Sequence, residues 1–195
     1  MTTKTSKSEI MAYLRAHLSP ERLEHVLGVR EVALLYAARH GVDSGAAEYA
    51  ALLHDSAKWM SVEDQFTACA RFGIPLSEDD HRQPAVLHAY LGAAIAKTRF
   101  GMAEPICQAI RAHTTGWNPM GPLDLVVYVA DYSEPGRSYP QAKEVRLLAE
   151  EDLVRAAFTT MTYKLQSLLE RGRFIHPRTV DTRNALLARM GAAPT

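Results

Sequence analysis

Apolar residues recur at helical spacing along almost the whole chain, and this pattern most narrows the folds available to it. Ser19-Pro20 supplies an N-cap and a proline at the first helical position, and apolar residues then follow at roughly helical intervals up to Gly41. Pro84, Pro105 and Pro177 open further helical stretches in the same way. The sequence has no Asn-Gly hairpin signal and no sustained apolar–polar alternation. It therefore predicts an all-α fold, a bundle of about eight or nine helices.

The charges of the chain balance, with 22 Lys and Arg against 22 Asp and Glu among 195 residues. This balance gives no long-range attraction for nucleic acid or an anionic membrane, so neither is expected as a partner. Cys69 and Cys107 lack disulfide or zinc-ribbon spacing, and the first residues lack a secretory signal, so a cytoplasmic location is expected. The length predicts a single domain over residues 1–195, with a core at about 19–135 and C-terminal helices at 140–190 packed on it.

Five groups that can bind metal lie on separate predicted helices: His25, His54-Asp55, His88, His113 and Asp131. The pattern around each of them otherwise predicts a position in the hydrophobic core. Imidazole and carboxylate are ligands of borderline and hard divalent metals such as iron, manganese or zinc. Buried carboxylates need a partner, and a metal ion is one such partner for Asp131. The alternative is a set of hydrogen-bonded core histidines, with Asp131 paired to Arg111 or Arg137. The residue pattern alone leaves both interpretations open.

Several residues near these groups suit phosphate oxygens. Lys58 follows Asp55 by three residues on nearly the same helix face, and Thr114-Thr115-Gly116 offers hydroxyls and a flexible backbone. Arg137 follows a Pro-Gly turn, and basic residues cluster at 171–178. Each has an ordinary alternative as a solvated lysine, a helix C-cap or exposed surface arginines.

Longer strings around these residues resemble a known family. The pattern of histidines and aspartates resembles the HD-domain metal-dependent phosphohydrolases, and the wider strings resemble the YqeK-type symmetrical bis(5′-nucleosyl)-tetraphosphatases over about residues 10–188. The strings are HVLGV at 25–29, LLHDSAK at 52–58, HAYLGA at 88–93, AIRAHTTG at 109–116, VYVADYSEPGR at 127–137 and LLERGRFIHPRTVDTRN at 168–184. The resemblance implies an HD-domain helical bundle that binds iron and cleaves diadenosine tetraphosphate into two ADP.

The resemblance also implies roles for individual residues. The implied metal ligands are His25, His54, Asp55 and Asp131, holding one or two ions, with iron expected and manganese, cobalt or zinc as alternatives. The implied catalytic residues are Asp55, Lys58, His88 and His113. The implied nucleotide and phosphate contacts comprise these four residues together with Gly28, Thr114, Arg137, Arg173, Phe174 and His176. The loops at 114–122 and 173–178 are expected to form the ADP pocket.

The expected mechanism is attack by a metal-activated hydroxide on one phosphorus of the polyphosphate, with Asp55 bridging two metals where both are bound. Three rival functions stay open at this point. One is another HD phosphohydrolase, acting on a nucleoside mono- or triphosphate or a guanosine alarmone. The others are a non-catalytic nucleotide-binding HD module and a structural helical protein. The pattern also leaves open a homodimer through an apolar helix.

Overall fold

The computed structural model describes residues 6–191, and within that range it contains helices and no β-strand. The predicted all-α class is confirmed. The described residues form eleven α-helices and one short 3₁₀ helix: α1 (Lys7–His17), α2 (Pro20–Arg39), α3 (Ser44–Leu53), α4 (Val62–Arg71), α5 (Glu78–Arg82), a 3₁₀ turn (Pro84–Val86), α6 (Leu87–Phe100), α7 (Glu104–Ala112), α8 (Pro122–Ser133), α9 (Pro140–Glu151), α10 (Leu153–Glu170) and α11 (Pro177–Arg189).

The number of helices is higher than expected because the sequence interpretation did not include α1 and α5. Both begin with a reciprocal capping box, formed by Ser6 with Glu9 and by Ser77 with Asp80. In each box the serine side chain accepts the backbone N–H of the third helical residue, while the acidic side chain accepts the N–H of the serine. The S-x-x-E and S-x-x-D spacings were the available signals for these two helices.

Two apolar clusters form the interior and lie on either side of the candidate residues. The first joins α1, α3, α6 and α7 around Leu14, Leu53, Leu91 and Ile110, all fully buried. The second joins α2 and α8 to α9, α10 and α11, with Met161 at its centre. Because α2, α3 and α8 contribute to these clusters, the polar residues on their inner faces are fixed on rigid supports.

The segment after α7 turns at Gly116, whose φ is +74°, a left-handed conformation that favours glycine. A Cβ at this position would lie 2.6 Å from the Thr182 side chain and 2.7 Å from that of Met161. The turn therefore packs directly against α10 and α11, and it holds Thr114 and Thr115 between α7 and these helices.

The C-terminal helices pack on the rest of the chain through α8, since α8 and α10 share the second apolar cluster. That residues 1–195 form a single domain stays a prediction, and residues 1–5 and 192–195 lie outside the described range. Among the helices of residues 6–191, none combines the length and apolar character needed to cross a membrane.

Candidate metal centre and adjoining cavity

Six sequence-predicted residues come together between the two apolar clusters. They come from five separate helices or helix ends: His25 on α2, His54 and Asp55 at the end of α3, His88 on α6, His113 at the end of α7 and Asp131 on α8. The Nε2 atom of His25 lies 3.2 Å from Oδ1 of Asp131, and that of His88 lies 3.2 Å from Oδ1 of Asp55. We call these six residues the histidine–aspartate cluster.

All four imidazoles of the cluster use the same ring nitrogen for an outward hydrogen bond. The Nδ1–H groups of His54, His88 and His113 donate to the backbone carbonyl three residues earlier, at 2.7, 2.7 and 2.6 Å. The Nδ1–H of His25 donates to the Glu134 carboxylate at 3.2 Å. Because carbonyl and carboxylate oxygens only accept, the proton of each neutral ring lies on Nδ1. Each Nε2 therefore directs its lone pair into the cluster.

Among the described residues, one of these inward nitrogens has a protein donor nearby: Nε2 of His88 lies 3.4 Å from the Lys58 ammonium. The Nε2 atoms of His25 and His54 are buried and make no regular hydrogen bond among the described residues. The Nε2 atoms of His88 and His113 lie only 3.1 Å apart, although two lone pairs repel each other. A shared cation resolves both problems, because it accepts several lone pairs at once. The residues present thus fit a divalent metal, and the donor atoms of two groups, His25–His54–Asp131 and His54–Asp55–His113, lie within 4.8 Å of one another.

Asp55 lies between two pairs of imidazoles. Its Oδ2 is 3.6 Å from Nε2 of His54 and 3.9 Å from Nε2 of His25. Its Oδ1 is 3.2 Å from Nε2 of His88 and 3.7 Å from Nε2 of His113. One carboxylate thus offers one oxygen to each half of the cluster, which is the arrangement that a bridging ligand requires.

The protonation states of His54, His88, Asp55 and Asp131 also suit metal ligation. Burial lowers the pKa of His54 and of His88 to about 4, so both rings are neutral at neutral pH. Burial opposes ionisation of Asp55 and Asp131, but the neighbouring imidazoles hold the pKa of both carboxyls well below the ordinary range. Burial likewise opposes a charge on His25, yet the Asp131 carboxylate raises its pKa above the ordinary value.

Four basic side chains surround the cluster. The guanidinium groups of Arg22 and Arg137 donate to Asp55 at 2.9 Å and to Asp131 at 3.3 Å. The ammonium of Lys58 lies 3.2 Å from Nδ1 of His88. The ammonium of Lys164, on α10, lies 3.9 Å from Oδ2 of Asp131. Lys58 and Arg137 were predicted, whereas Arg22 and Lys164 were missed because single basic residues on amphipathic helices are usually solvated.

Glu134 was also not predicted from the sequence. It fixes His25 through a hydrogen bond to Nδ1, the ring nitrogen that faces away from the cluster. Its buried carboxylate accepts the Nδ1–H of His25 and, at 2.6 Å, the backbone N–H of Gly136. A Cβ at Gly28 would lie 2.7 Å from Oε2 of Glu134, so the absence of a side chain there makes room for this carboxylate. A carboxylate that fixes the orientation and tautomer of an imidazole is a frequent partner of metal-ligating histidines. The S-E-P-G string that follows Asp131 was the available signal.

A cavity of about 750 Å³ opens beside the cluster. Its walls include Lys58, Thr114 and Arg137, which were predicted to contact phosphate. The remaining wall comes from the cluster, from α2, from the segment around the 3₁₀ turn, from the turn after α7 and from the chain between α8 and α11. Its residues are Arg22, Asp55, Gln83, Ala85, Val86, His88, His113, Thr115, Asp131, Tyr132, Tyr139, Gln141, Tyr163, Lys164, Gln166, Ser167, Leu168, Glu170, Arg171 and Thr179.

Four residues predicted to contact nucleotide do not line this cavity: Gly28, Arg173, Phe174 and His176. Gly28 instead packs against Glu134. The Phe174 ring lies beneath the guanidinium of Arg82, and His176 is buried beside Asp80 at 3.3 Å, where it caps α11. The predicted ADP pocket is also divided, since Thr114 and Thr115 line the main cavity while Trp117 and Arg178 line a separate hollow of about 610 Å³.

The HD domain family model matches residues 22–136, which is more than half of the chain. The chain therefore belongs to the HD domain family. Membership of this family implies a divalent metal, and the histidine–aspartate cluster is able to hold one.

Two relatives and one solved structure match nearly the whole chain. The chain is 37% identical to the symmetrical bis(5′-nucleosyl)-tetraphosphatase of Bacillus subtilis, over 94% of this chain and 98% of that protein. It is 34% identical to the protein of the same name from Halalkalibacterium halodurans, over 93% and 97% of the two chains. A crystal structure from Clostridium acetobutylicum, described as a predicted HD superfamily hydrolase involved in NAD metabolism, matches with a TM-score of 0.93 and 34% identity. That match covers 96% of this chain and all of the other.

Proposed function

We propose that this protein is a metal-dependent hydrolase that cleaves diadenosine tetraphosphate symmetrically into two ADP. The observation that carries the proposal is a cluster of inward imidazole lone pairs around Asp55, at the wall of a cavity rich in basic side chains. The names of the relatives from Bacillus and Halalkalibacterium, matched over nearly their whole length, support the same reaction.

The charge of the cavity suits a polyphosphate. Five Lys or Arg side chains line it against three Asp or Glu side chains, although the whole chain has a formal net charge of zero. A bound divalent cation adds two further positive charges. Positive charge is therefore concentrated at the one place where a tetraphosphate would be cleaved, which favours both binding of the substrate and the charge that develops on the leaving ADP.

We assign His25, His54, Asp55 and Asp131 as the residues that would hold the metal, with His88 and His113 completing a second position. Iron is the proposed native metal, and imidazole and carboxylate ligands also accept manganese, cobalt or zinc. When bound, such a metal supplies Lewis acidity and lowers the pKa of a water molecule towards neutrality. Asp55 presents one oxygen to each position.

The basic residues of the wall have separate tasks in this proposal. Lys58, beside His88, and Arg137, beside Asp131, lie on the cluster itself and would hold phosphate oxygens in line for attack. Burial lowers the pKa of Lys58 below its ordinary value, although nearby Asp55 favours the charged form. Thr114 offers a buried hydroxyl that has no hydrogen-bond partner among the described residues, and a phosphate oxygen would satisfy it.

A symmetric cut requires room for an ADP on each side of the cluster. Tyr132 and Tyr139, which both line the cavity, contact each other edge to face at 5.2 Å and offer aromatic surface for a base. The cavity also extends along α10 as far as Arg171, and the eight residues from Tyr163 to Arg171 span roughly 12 Å of helix. In this proposal one ADP would lie against the tyrosines and the other along α10, with the middle anhydride at the cluster.

The test is separation of the products formed when iron- or manganese-loaded protein is incubated with diadenosine tetraphosphate. ADP as the sole product, with loss of turnover on chelation, is the expected result. AMP with ATP would contradict the symmetric register. No turnover by metal-loaded protein would reject this substrate in favour of another nucleotide. The description of the Clostridium structure makes a pyridine dinucleotide a useful member of that substrate panel.

A cytoplasmic location and a homodimer stay predictions from the sequence. The dinucleoside polyphosphate as substrate and ADP as product are the partners that this proposal requires.

A further inference from the structure

Lys164 lines the cavity but comes from a part of the chain beyond the residues matched by the family model. The match ends at residue 136, whereas Lys164 lies on α10, in the second half of the chain. It lines the cavity with a quarter of its side chain exposed. Lys164 therefore lies at the wall of the cavity, with its ammonium close to the histidine–aspartate cluster.

The surroundings of Lys164 fix its position. The Nζ atom lies 4.2 Å from the centroid of the Tyr128 ring, and Tyr128 is fully buried in the second apolar cluster. The Asp131 carboxylate lies 3.9 Å away on the other side. A lysine held between a buried ring and a carboxylate has far fewer conformations than a surface lysine, so less entropy is lost when it binds a ligand.

The hydrogen-bonding capacity of this ammonium is largely unused. An ammonium carries three N–H donors. Among residues 6–191 its one hydrogen bond reaches the backbone carbonyl of His113, at 3.5 Å, the long limit for such a bond. Charged groups that leave bulk water normally acquire short hydrogen bonds, because desolvation is otherwise uncompensated. An anionic oxygen in the cavity would supply the missing acceptors.

A role as counter-ion of Asp131 does not by itself explain the position of the Lys164 side chain. Asp131 already accepts a hydrogen bond from Arg137 at 3.3 Å and faces Nε2 of His25 at 3.2 Å. The contact with Lys164 is longer than either, at 3.9 Å. Asp131 thus has a closer cationic partner in Arg137, while Lys164 lines the cavity with N–H donors that have no acceptor among residues 6–191 other than the His113 carbonyl.

We propose that Lys164 is a phosphate-binding residue, whose ammonium donates hydrogen bonds to the polyphosphate of the substrate from the α10 side of the cavity. This inference rests on the proposed function for the identity of the substrate, but its chemistry needs only a chain of phosphates. Lys58 and Arg137 approach the cluster from the loops that follow α3 and α8, and Lys164 approaches it from α10, among the C-terminal helices. The polyphosphate is therefore held between two parts of the chain.

The test measures binding of inorganic tripolyphosphate to manganese-loaded protein by calorimetry, after the metal content of each variant has been shown to be equal. Lys164→Met is expected to weaken binding about 10- to 100-fold, since hydrogen bonds to charged groups contribute on that scale. Lys164→Arg restores most of the affinity because it keeps the charge and the donors. Lys143→Met, at an exposed position on α9, is the matched control and leaves binding unchanged.

Binding by Lys164→Met equal to that of the wild type would overturn the proposal and leave Lys164 as a counter-ion of Asp131. If Lys164→Met does not fold, acylation of lysines in the wild-type protein decides the question by mass spectrometry. Tripolyphosphate is expected to protect Lys164 but not Lys143, and equal labelling of Lys164 with and without it would reject the site.

Two outcomes would separate an error in the proposed substrate from an error in the proposed role of Lys164. If the wild type leaves diadenosine tetraphosphate intact while tripolyphosphate binding depends on Lys164, the substrate is wrong and the phosphate site stands. If the wild type produces ADP while Lys164→Met binds tripolyphosphate as tightly as the wild type does, the function stands and the inference is rejected.

Discussion

Two buried groups of histidine and aspartate occur in this molecule, and they use their hydrogen-bonding atoms in opposite ways. In the group around Asp80, the carboxylate accepts the Tyr90 hydroxyl at 2.7 Å and the backbone N–H of Ser77 at 2.8 Å. His176 donates to Asp80 through Nε2–H at 3.3 Å and accepts the Arg178 backbone N–H on Nδ1 at 3.2 Å. Both nitrogen atoms of the His176 ring therefore have a hydrogen-bond partner in the protein.

The histidine–aspartate cluster has the reverse arrangement. Its four imidazoles donate outward through Nδ1, and their Nε2 atoms face one another and the carboxylates. Among the described residues, the one protein donor near these Nε2 atoms is the Lys58 ammonium, 3.4 Å from that of His88. Both groups combine histidine and aspartate side chains that lie largely out of solvent and close to one another. The tautomer and the remaining unpaired atoms therefore distinguish a histidine that can bind metal from one that stabilises the fold.

The largest contrast between the two groups is expected in turnover. Asp55→Ala removes the carboxylate shared by both halves of the cluster, and we expect hydrolysis to fall by about 10³-fold or more, because several kcal/mol of transition-state stabilisation are lost. Asp80→Asn is the matched change in the other group and should retain most of the activity. Rates with diadenosine tetraphosphate, and circular dichroism to verify the helices, provide the measurement. Activity retained by Asp55→Ala would show that the cluster is not the reaction centre.

Metal binding should separate the two groups in the same direction. His54→Gln removes an inward Nε2, and we expect the affinity for manganese to fall by more than about 100-fold, since even changes behind a ligand cost 10- to 100-fold. His176→Gln should bind metal as the wild type does, because both of its ring nitrogens serve the protein. Metal content after dialysis against a weak chelator gives the comparison. Equal metal loss in both variants would contradict the hydrogen-bond criterion.

A smaller effect is expected from changing the support of one ligand. Gly28→Ala places a methyl group 2.7 Å from Oε2 of Glu134 and should displace this flexible carboxylate from His25 rather than disrupt α2. We expect manganese affinity to fall about 10-fold, with Glu134→Gln giving a similar loss. Competition with a chelating indicator measures both. Gly45→Ala, in α3, is the control and should bind metal normally, whereas unchanged affinity in both Gly28→Ala and Glu134→Gln would remove Glu134 from the site.

The contrast between the groups also shows how far the sequence predicts the molecule. Helical spacing and proline positions predicted the all-α class, and the six residues of the cluster were selected because imidazoles and carboxylates interrupt apolar helices. The assignment of His176 to nucleotide stays a prediction, and a sequence shows this histidine but not that Asp80, 96 residues earlier, lies beside it. Lys164 was missed for the converse reason. Only the packing of α10 against α8 turns an ordinary helical lysine towards the cluster.

The smallest effect concerns the stability that the Asp80 group provides. Burial opposes ionisation of Asp80, but hydrogen bonds from Ser77, Tyr90 and His176 lower its pKa below the ordinary value. A carboxyl whose pKa is lowered by folding stabilises the protein above its unfolded pKa, about 3.9, and loses this contribution as the pH falls through the folded pKa. Asp80→Asn lacks the charge, so we expect it to unfold about 1–3 kcal/mol more easily at pH 7.

The difference between wild type and Asp80→Asn should then shrink below pH 4, because the Asp80 carboxyl of the unfolded wild type takes up a proton there and the advantage of the charged folded form declines. Urea unfolding of both proteins between pH 3 and 7 measures the difference directly, and groups that titrate equally in both cancel. A constant difference over this range would mean that packing of Asp80, rather than its charge, stabilises the fold. Asp80 and His176 would still have no part in metal binding, since their hydrogen bonds leave no lone pair directed at a shared point.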